Sequence, residues 1–84
     1  MKICEICGYP ADNTHHLIFG NGVRRLADRD GLTIDLCADC HMELHGNGVA
    51  SVLSKMLGQA IWERDNPGET ARDKFIARYG RSWL

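Results

Sequence analysis

Residues 37–45 read CADCHMELH, and the reading of this stretch decides the fold. Cys37 and Cys40 make a CxxC, which needs two more thiolates to close a tetrahedron around one ion. In a helix starting at about Asp39, His41 and His45 fall at i and i+4 on one face, so both imidazoles can reach a single ion. One short segment then serves two metals. The ligands it lacks lie upstream: Cys4 and Cys7 for the sulfur site, and the adjacent pair His15 and His16 for the nitrogen site.

At 84 residues the chain is one small domain, near the size where a core alone gives little stability and a structural metal is a common supplement. Two disulfides are the alternative use of four cysteines, as in small secreted domains. The N-terminal MKICEICGYP has no apolar signal region, and no run approaches a membrane span. A reducing cytoplasm, and hence zinc on the tightly spaced pairs, is the expectation. The formal charge of -1 is no electrostatic footprint for nucleic acid, but it omits bound metal, which adds positive charge where a phosphate could meet it. Arg24, Arg25 and Arg29 cluster between the histidine pair and the second CxxC, and Arg64, Arg72, Lys74, Arg78 and Arg81 crowd the end. Interleaved Asp and Glu make an ordinary solvated face an equal reading of the second group.

In chain order, residues 1–13 read as a knuckle and turn, with Gly8, Pro10, Asp12 and Asn13 favouring loop. His15 to Phe19 is a short β-prone run ended by Gly20-Asn21-Gly22; in a strand its two histidines point to opposite faces. Residues 23–31 read as a polar, Arg-rich loop with a helical turn around Arg25 to Asp28, closing at Asp30-Gly31. Leu32 to Leu36 alternates apolar and polar, the pattern of a second strand antiparallel to the first. The metal-bearing helix follows and is expected to stop at Gly46-Asn47-Gly48.

Val49, Val52, Leu53, Met56, Leu57, Ala60 and Ile61 then recur at helical steps, which predicts a helix to about Arg64 that buries this apolar stripe. Asn66-Pro67-Gly68 ends it. Thr70 and Asp73 suggest a capping box for a last helix, with Phe75, Ile76 and Tyr79 inward and Gly80 as its stop. The expected organisation is a single domain, 1–84, with a knuckle and sheet core over 1–46 and a helical extension over 47–84 that clamps it.

The histidines carry the functional reading. His15 and His16 diverge in a strand, so one binds metal and the other does something else. His41 and His45 share a face that a hairpin can bring against a strand histidine. Three imidazoles with one to spare is the arithmetic of a catalytic site. Zinc proteases need HExxH or HxxEH, and HMELH is neither. Zinc deaminases pair HxE with PCxxC, and both are missing. A thioredoxin-like CxxC needs a βαβ context that the chain lacks.

The series CxxC at 4–7, HH at 15–16 and LCxxCHxxxH at 36–45 resembles the HNH endonucleases, in the version with a four-cysteine zinc knuckle, and residues 4–45 carry the resemblance. The tail DKFIARYGRSWL at 73–84 is similar to the end of small phage-encoded members. The fold this implies is a small α+β one, a ββα-metal (His-Me finger) core with the knuckle, followed by two C-terminal helices. By the same resemblance Cys4, Cys7, Cys37 and Cys40 hold structural zinc. His15, His41 and His45 hold one catalytic divalent ion (zinc, nickel, manganese, cobalt or magnesium), and His16 is the general base. The family's middle Asn has no clear counterpart; by spacing it falls near Gly31 or Leu32, and either Asp30 substitutes for it or the knuckle itself holds the loop rigid.

The implied activity is metal-assisted hydrolysis of DNA phosphodiester bonds in the cytoplasm of a bacterial host, leaving 5′-phosphate and 3′-hydroxyl ends. A histidine base works unprotonated, so activity is expected to rise from about pH 6 to 8. Arg24 and Arg25 are the candidates for phosphate contacts. Two rivals stand beside this reading: a noncatalytic zinc module that binds DNA or a protein, and an accessory of phage packaging or recombination machinery. Oligomeric state and site preference are open at this point.

Overall fold

In the computed structural model, which describes residues 2–20, 22–45 and 48–84, the chain opens on the turn that carries Cys4 and Cys7. Ile3 bridges Pro10 in antiparallel fashion, the Cys4 N–H donates to the Tyr9 carbonyl at 2.7 Å, and Gly8 at φ 82 makes the left-handed return. Glu5 ties this knuckle to the sheet. Its N–H donates to the Asp35 carbonyl at 2.9 Å, and its carboxylate accepts from the Asp35 N–H at 2.8 Å.

The sheet has two antiparallel strands, β1 (Asn13–His16) and β2 (Thr33–Leu36), with His15 opposite Ile34 and His16 opposite Thr33. β1 lies earlier than the expected 15–19. A strand would send Leu17 and Ile18 to opposite faces, whereas both are buried here, so the chain bends out of the ladder after His16. The expected loop over 23–31 is a helix instead, α1 (Val23–Arg29). Val23, Leu26 and Ala27 form an i, i+3, i+4 stripe that meets the core, and the arginines between them had masked it.

β2 runs directly into α2 (Ala38–His45), as the spacing predicts. The stop expected at 46–48 falls partly outside the described residues; Gly48, at φ 80, precedes α3 (Val49–Asp65). α3 has the expected length but presents the other face. Val49, Val52, Leu53, Leu57 and Ala60 are exposed, and the buried residues are Ser54, Gly58, Gln59 and Trp62. The reason lies in what α3 packs against: besides the side chains of Leu17, Ile18 and Phe75, it meets backbone groups of the 17–18 bend on one side and of the C-terminal tail on the other. Polar and small side chains satisfy such partners where leucines cannot. Ser54 donates to the Leu17 carbonyl at 2.8 Å, and fully buried Gln59 donates to Glu63 and Ser82 and accepts from the Trp83 N–H.

After Asn66, whose side chain donates to the Trp62 carbonyl, comes α4 (Ala71–Tyr79). The expected capping box is not made. Thr70 sits at φ -102, ψ 13, outside the extended conformation that would aim its hydroxyl at the first turn, and caps nothing with its side chain. Phe75 and Tyr79 are buried as expected, but Ile76 is exposed, because the buried line runs at four-residue steps through Ala71, Phe75 and Tyr79. Gly80 ends the helix at φ 91.

The core joins both halves of the chain. Leu17, Ile18, Ala27 and Leu32 pack with Trp62, Phe75 and Tyr79, and Phe75 stacks on Tyr79 at 4.6 Å while meeting Trp62 edge-on at 5.6 Å. Asp30, at the end of α1, is clamped by α4: Arg78 donates to its two oxygens at 2.7 and 2.8 Å, and the Tyr79 hydroxyl donates at 2.6 Å. Both Asp30 oxygens are thus engaged by side chains of α4. The result is a small compact α+β fold of two strands and four helices, in which no described helix is long and apolar enough to cross a membrane.

Candidate metal centres

The knuckle supplies Cys4 and Cys7, and the junction of β2 with α2 supplies Cys37 and Cys40. The four sulfurs lie within 4.8 Å of one another, all four thiols are free, and Cys7 and Cys37 are 3.6 Å apart. A disulfide would need about 2 Å. A tetrahedron with bonds of about 2.3 Å has edges of about 3.8 Å, close to the 3.6 Å between Cys7 and Cys37.

Their electrostatics pull against each other. Burial disfavours the Cys4 thiolate, but backbone N–H groups of Cys7, Cys37 and Ile6 outweigh it and bring its pKa down to about 6. At Cys7 a hydrogen bond at the Tyr9 backbone favours the thiolate, yet burial and the sulfurs of Cys4 and Cys37 push the pKa up. Cys40 is pushed up strongly, first by Cys37, then by burial and the two remaining sulfurs. Four adjacent thiolates need a cation to coexist, and these four cysteines could hold a zinc-like ion.

The second cluster forms where α2 meets β1. His15 from β1 and His41 and His45 from α2 offer ligand atoms within 4.8 Å of one another, with ring centroids 4.6 to 5.3 Å apart. Phe19 covers one side, 4.5 Å from the His45 ring, and Lys55 lies over Phe19. His15 is fully buried; burial, followed by the charges of His45, His41 and His16, lowers its pKa to about 4, so the ring is neutral at pH 7. Burial and the charges of His41, Arg24 and His16 also hold His45 below the usual histidine value. His15 Nε2 is 2.8 Å from Ser54 Oγ, and His15 Nδ1 is buried with no hydrogen-bond partner among the described residues. An orphaned buried ring nitrogen beside two more imidazoles fits a transition-metal ion.

His16 points away from its neighbour, as strand alternation requires. Its Nε2 stands 3.4 Å from the Asp28 carboxylate, and it opens on a cleft of about 430 Å³ lined also by Gly22, Arg24 and Arg25. Arg24 and Arg25 are thus brought to His16, both exposed. Much of the C-terminal basic group is spoken for: Arg64 pairs with Asp65, Arg72 with Glu63 and Arg78 with Asp30. Two residues of these sites escaped the sequence reading. Asp28 was hidden in an arginine-rich run. Ser54 had one available signal, a serine and a glycine one helical turn apart on the face of α3 opposite the apolar stripe.

A family model described as protein of unknown function (DUF968) matches residues 1–55, which contain both clusters, the cleft and Ser54. The chain is 33% identical over 51 residues to a mitochondrial DNA mismatch repair protein mutS homolog of Sarcophyton glaucum, covering 56% of this chain and 5% of that protein. It is 44% identical over 48 residues to the uncharacterized protein YdfU of Escherichia coli (strain K12), covering 56% of this chain and 14% of that protein. The chain therefore spans only a small part of the length of these relatives. No solved structure matches it significantly.

Proposed function

The chain belongs to the DUF968 family of unknown function, and within that frame we propose that it is an HNH-type endonuclease of the ββα-metal fold, which hydrolyses DNA phosphodiester bonds. The observation that carries this reading is the division of labour across β1: His15 turns to His41 and His45, while His16 turns to a cleft lined by two exposed arginines. The sequence likeness to part of a protein named for DNA mismatch repair agrees with DNA as the substrate class.

His16 is the general base. The Asp28 carboxylate, 3.4 Å from His16 Nε2, favours the ring proton on that nitrogen by charge alone, which would leave Nδ1 with the lone pair that takes a proton from water. Asp28 thus takes over the steadying of the base that the family's Asn would provide. Arg24 and Arg25 hold the scissile phosphate against this nitrogen. A divalent ion held by His15, His41 and His45 would supply charge stabilisation at the phosphate and leaving oxygen. Cys4, Cys7, Cys37 and Cys40 with zinc fix the junction from which α2 starts, and so fix His41 and His45. The setting proposed is the cytoplasm of a bacterial host, with a phage origin resting on the likeness of the tail alone.

The test is plasmid cleavage by the protein with manganese or nickel, with and without chelator, beside His16→Ala. Chelator-sensitive cleavage that His16→Ala lowers by about 10²- to 10⁴-fold is expected. Equal cleavage by the variant removes the catalytic role. A second reading, a noncatalytic zinc module that engages a protein partner or assists packaging or recombination machinery, is favoured by Ile3, Ile6 and Tyr9, which the knuckle turns to solvent. No cleavage with any metal would select it.

A further inference from the structure

The buried end of His15 is connected in a way that fixes its chemistry. Ser54 Oγ lies 2.8 Å from the Leu17 carbonyl oxygen and 2.8 Å from His15 Nε2. A carbonyl can only accept, so the single hydroxyl hydrogen of Ser54 goes to Leu17. What Ser54 then presents to His15 is a lone pair, and Nε2 must carry a hydrogen to meet it. The proton of the neutral ring is thereby placed, and Nδ1 is left with a bare lone pair, buried and without a hydrogen-bond partner among the described residues, in a ring that clusters with His41 and His45.

We infer that Ser54 is a positioning residue for the three-histidine site: by holding His15 as the Nε2–H tautomer it selects Nδ1 as the ligand atom and sets the affinity of the site for a divalent transition ion. This rests on the proposed metal site and extends it to α3, which supplies no ligand. The chain His15 to Ser54 to Leu17 is closed off from water, with Ser54 only 3% exposed and His15 fully buried, so no solvent molecule can replace the hydroxyl at low cost. Gly58, one turn on, lets α3 come close enough for the contact. Imidazole ligands in metal sites are commonly oriented by a hydrogen bond at the far nitrogen, and loss of that partner typically weakens metal binding about 10- to 100-fold.

The experiment compares wild type, Ser54→Ala and Ser54→Thr, each with zinc in the four-cysteine site, in a cobalt titration and by long-range proton–nitrogen NMR of the imidazoles. Expected are a His15 Nε2–H tautomer in wild type before cobalt is added, an affinity about 10- to 100-fold lower in Ser54→Ala, and recovery of most of it in Ser54→Thr. Unchanged thiolate-to-cobalt absorption, on replacing the zinc, shows that the fold is kept. A His15 Nδ1–H tautomer in the zinc-loaded wild type before cobalt is added overturns the inference, as does wild-type affinity with an unaltered tautomer in Ser54→Ala. A wild type that takes up no cobalt beyond the cysteine site overturns the metal-site reading instead, and the tautomer of His15 still decides the role of Ser54.

Discussion

A β-carbon on Gly58 would stand 2.7 Å from Ile18 Cγ1 and 3.1 Å from Leu17 Cβ, so α3 touches the bend after β1 at a point where only glycine fits. Ile18 is fully buried and Leu17 nearly so, which leaves neither room to yield. On an exposed helix Gly→Ala would stabilise by about 1 kcal/mol. Here the overpacking, about 1–3 kcal/mol, opposes that gain and outweighs it. Gly58→Ala is expected to lower the thermal midpoint by several degrees, roughly 4–8 °C for each kcal/mol lost, and to weaken cobalt binding at the histidines by lifting Ser54. A raised midpoint in a calorimetric scan would contradict the contact.

That same contact explains where the sequence misleads. Two CxxC pairs, a histidine doublet and an i, i+4 pair state their chemistry through residue type and spacing alone, so both clusters and the order strand, strand, helix are legible. The burial of α3 is not, because helical periodicity identifies a stripe without saying which surface opposes it. Leu53 and Leu57 mark the obvious face, yet Ser54 and Gln59 lie inside, answering backbone groups at Leu17 and Trp83 that are far away in sequence. The cleft is likewise invisible, since it exists only once α1 forms and turns Asp28 toward His16.

Asp30 links the end of α1 to α4 through Arg78 and Tyr79, and its pH dependence has a definite sign. Burial raises the carboxyl pKa, but the hydrogen bonds from Arg78 and Tyr79 outweigh it, and the folded value lies below the ordinary one. The pair therefore contributes stability fully above the unfolded carboxylate pKa, about 3.9, and loses it as pH falls through the lower folded value. Asp30→Asn should cost about 1–3 kcal/mol at pH 7, toward the lower end because Arg78 is partly solvated. Denaturant midpoints of variant and wild type should converge at the acid end of a series run down to about pH 2.5. A gap that widens toward acid would show the sign to be wrong.

Metal removal tests the knuckle separately from the histidines. The thiols of Cys7 and Cys40 are pushed up by the neighbouring sulfurs and by burial, so the fold around the four cysteines is expected to depend on an ion that pairs them. Mass spectrometry under native conditions should find a zinc ion that survives a weak chelator, and a strong chelator should abolish the near-ultraviolet signal of the core aromatics. Cys7→Ser should lose this zinc, whereas His41→Ala should keep it. Loss of the same ion in both variants would mean that the two clusters are not independent sites.

Arg24 and Arg25 sit at the rim of the cleft that His16 closes, exposed and without an ion-pair partner among the described residues. Contacts of that kind position a phosphate through charge and are screened by salt. If each neutralises one phosphate charge, replacing it by alanine removes one released counterion, and the slope of log affinity against log salt should fall by about 0.9 per arginine on duplex DNA. Binding of a catalytically silent His16→Ala protein to duplexes of unrelated sequence, measured from low to moderate salt, reads this directly. The loss should be alike on every sequence, because these side chains meet the backbone and not base edges. An unchanged salt slope in the double variant Arg24→Ala, Arg25→Ala would move the phosphate away from this cleft and would remove the support for His16 as the proposed base.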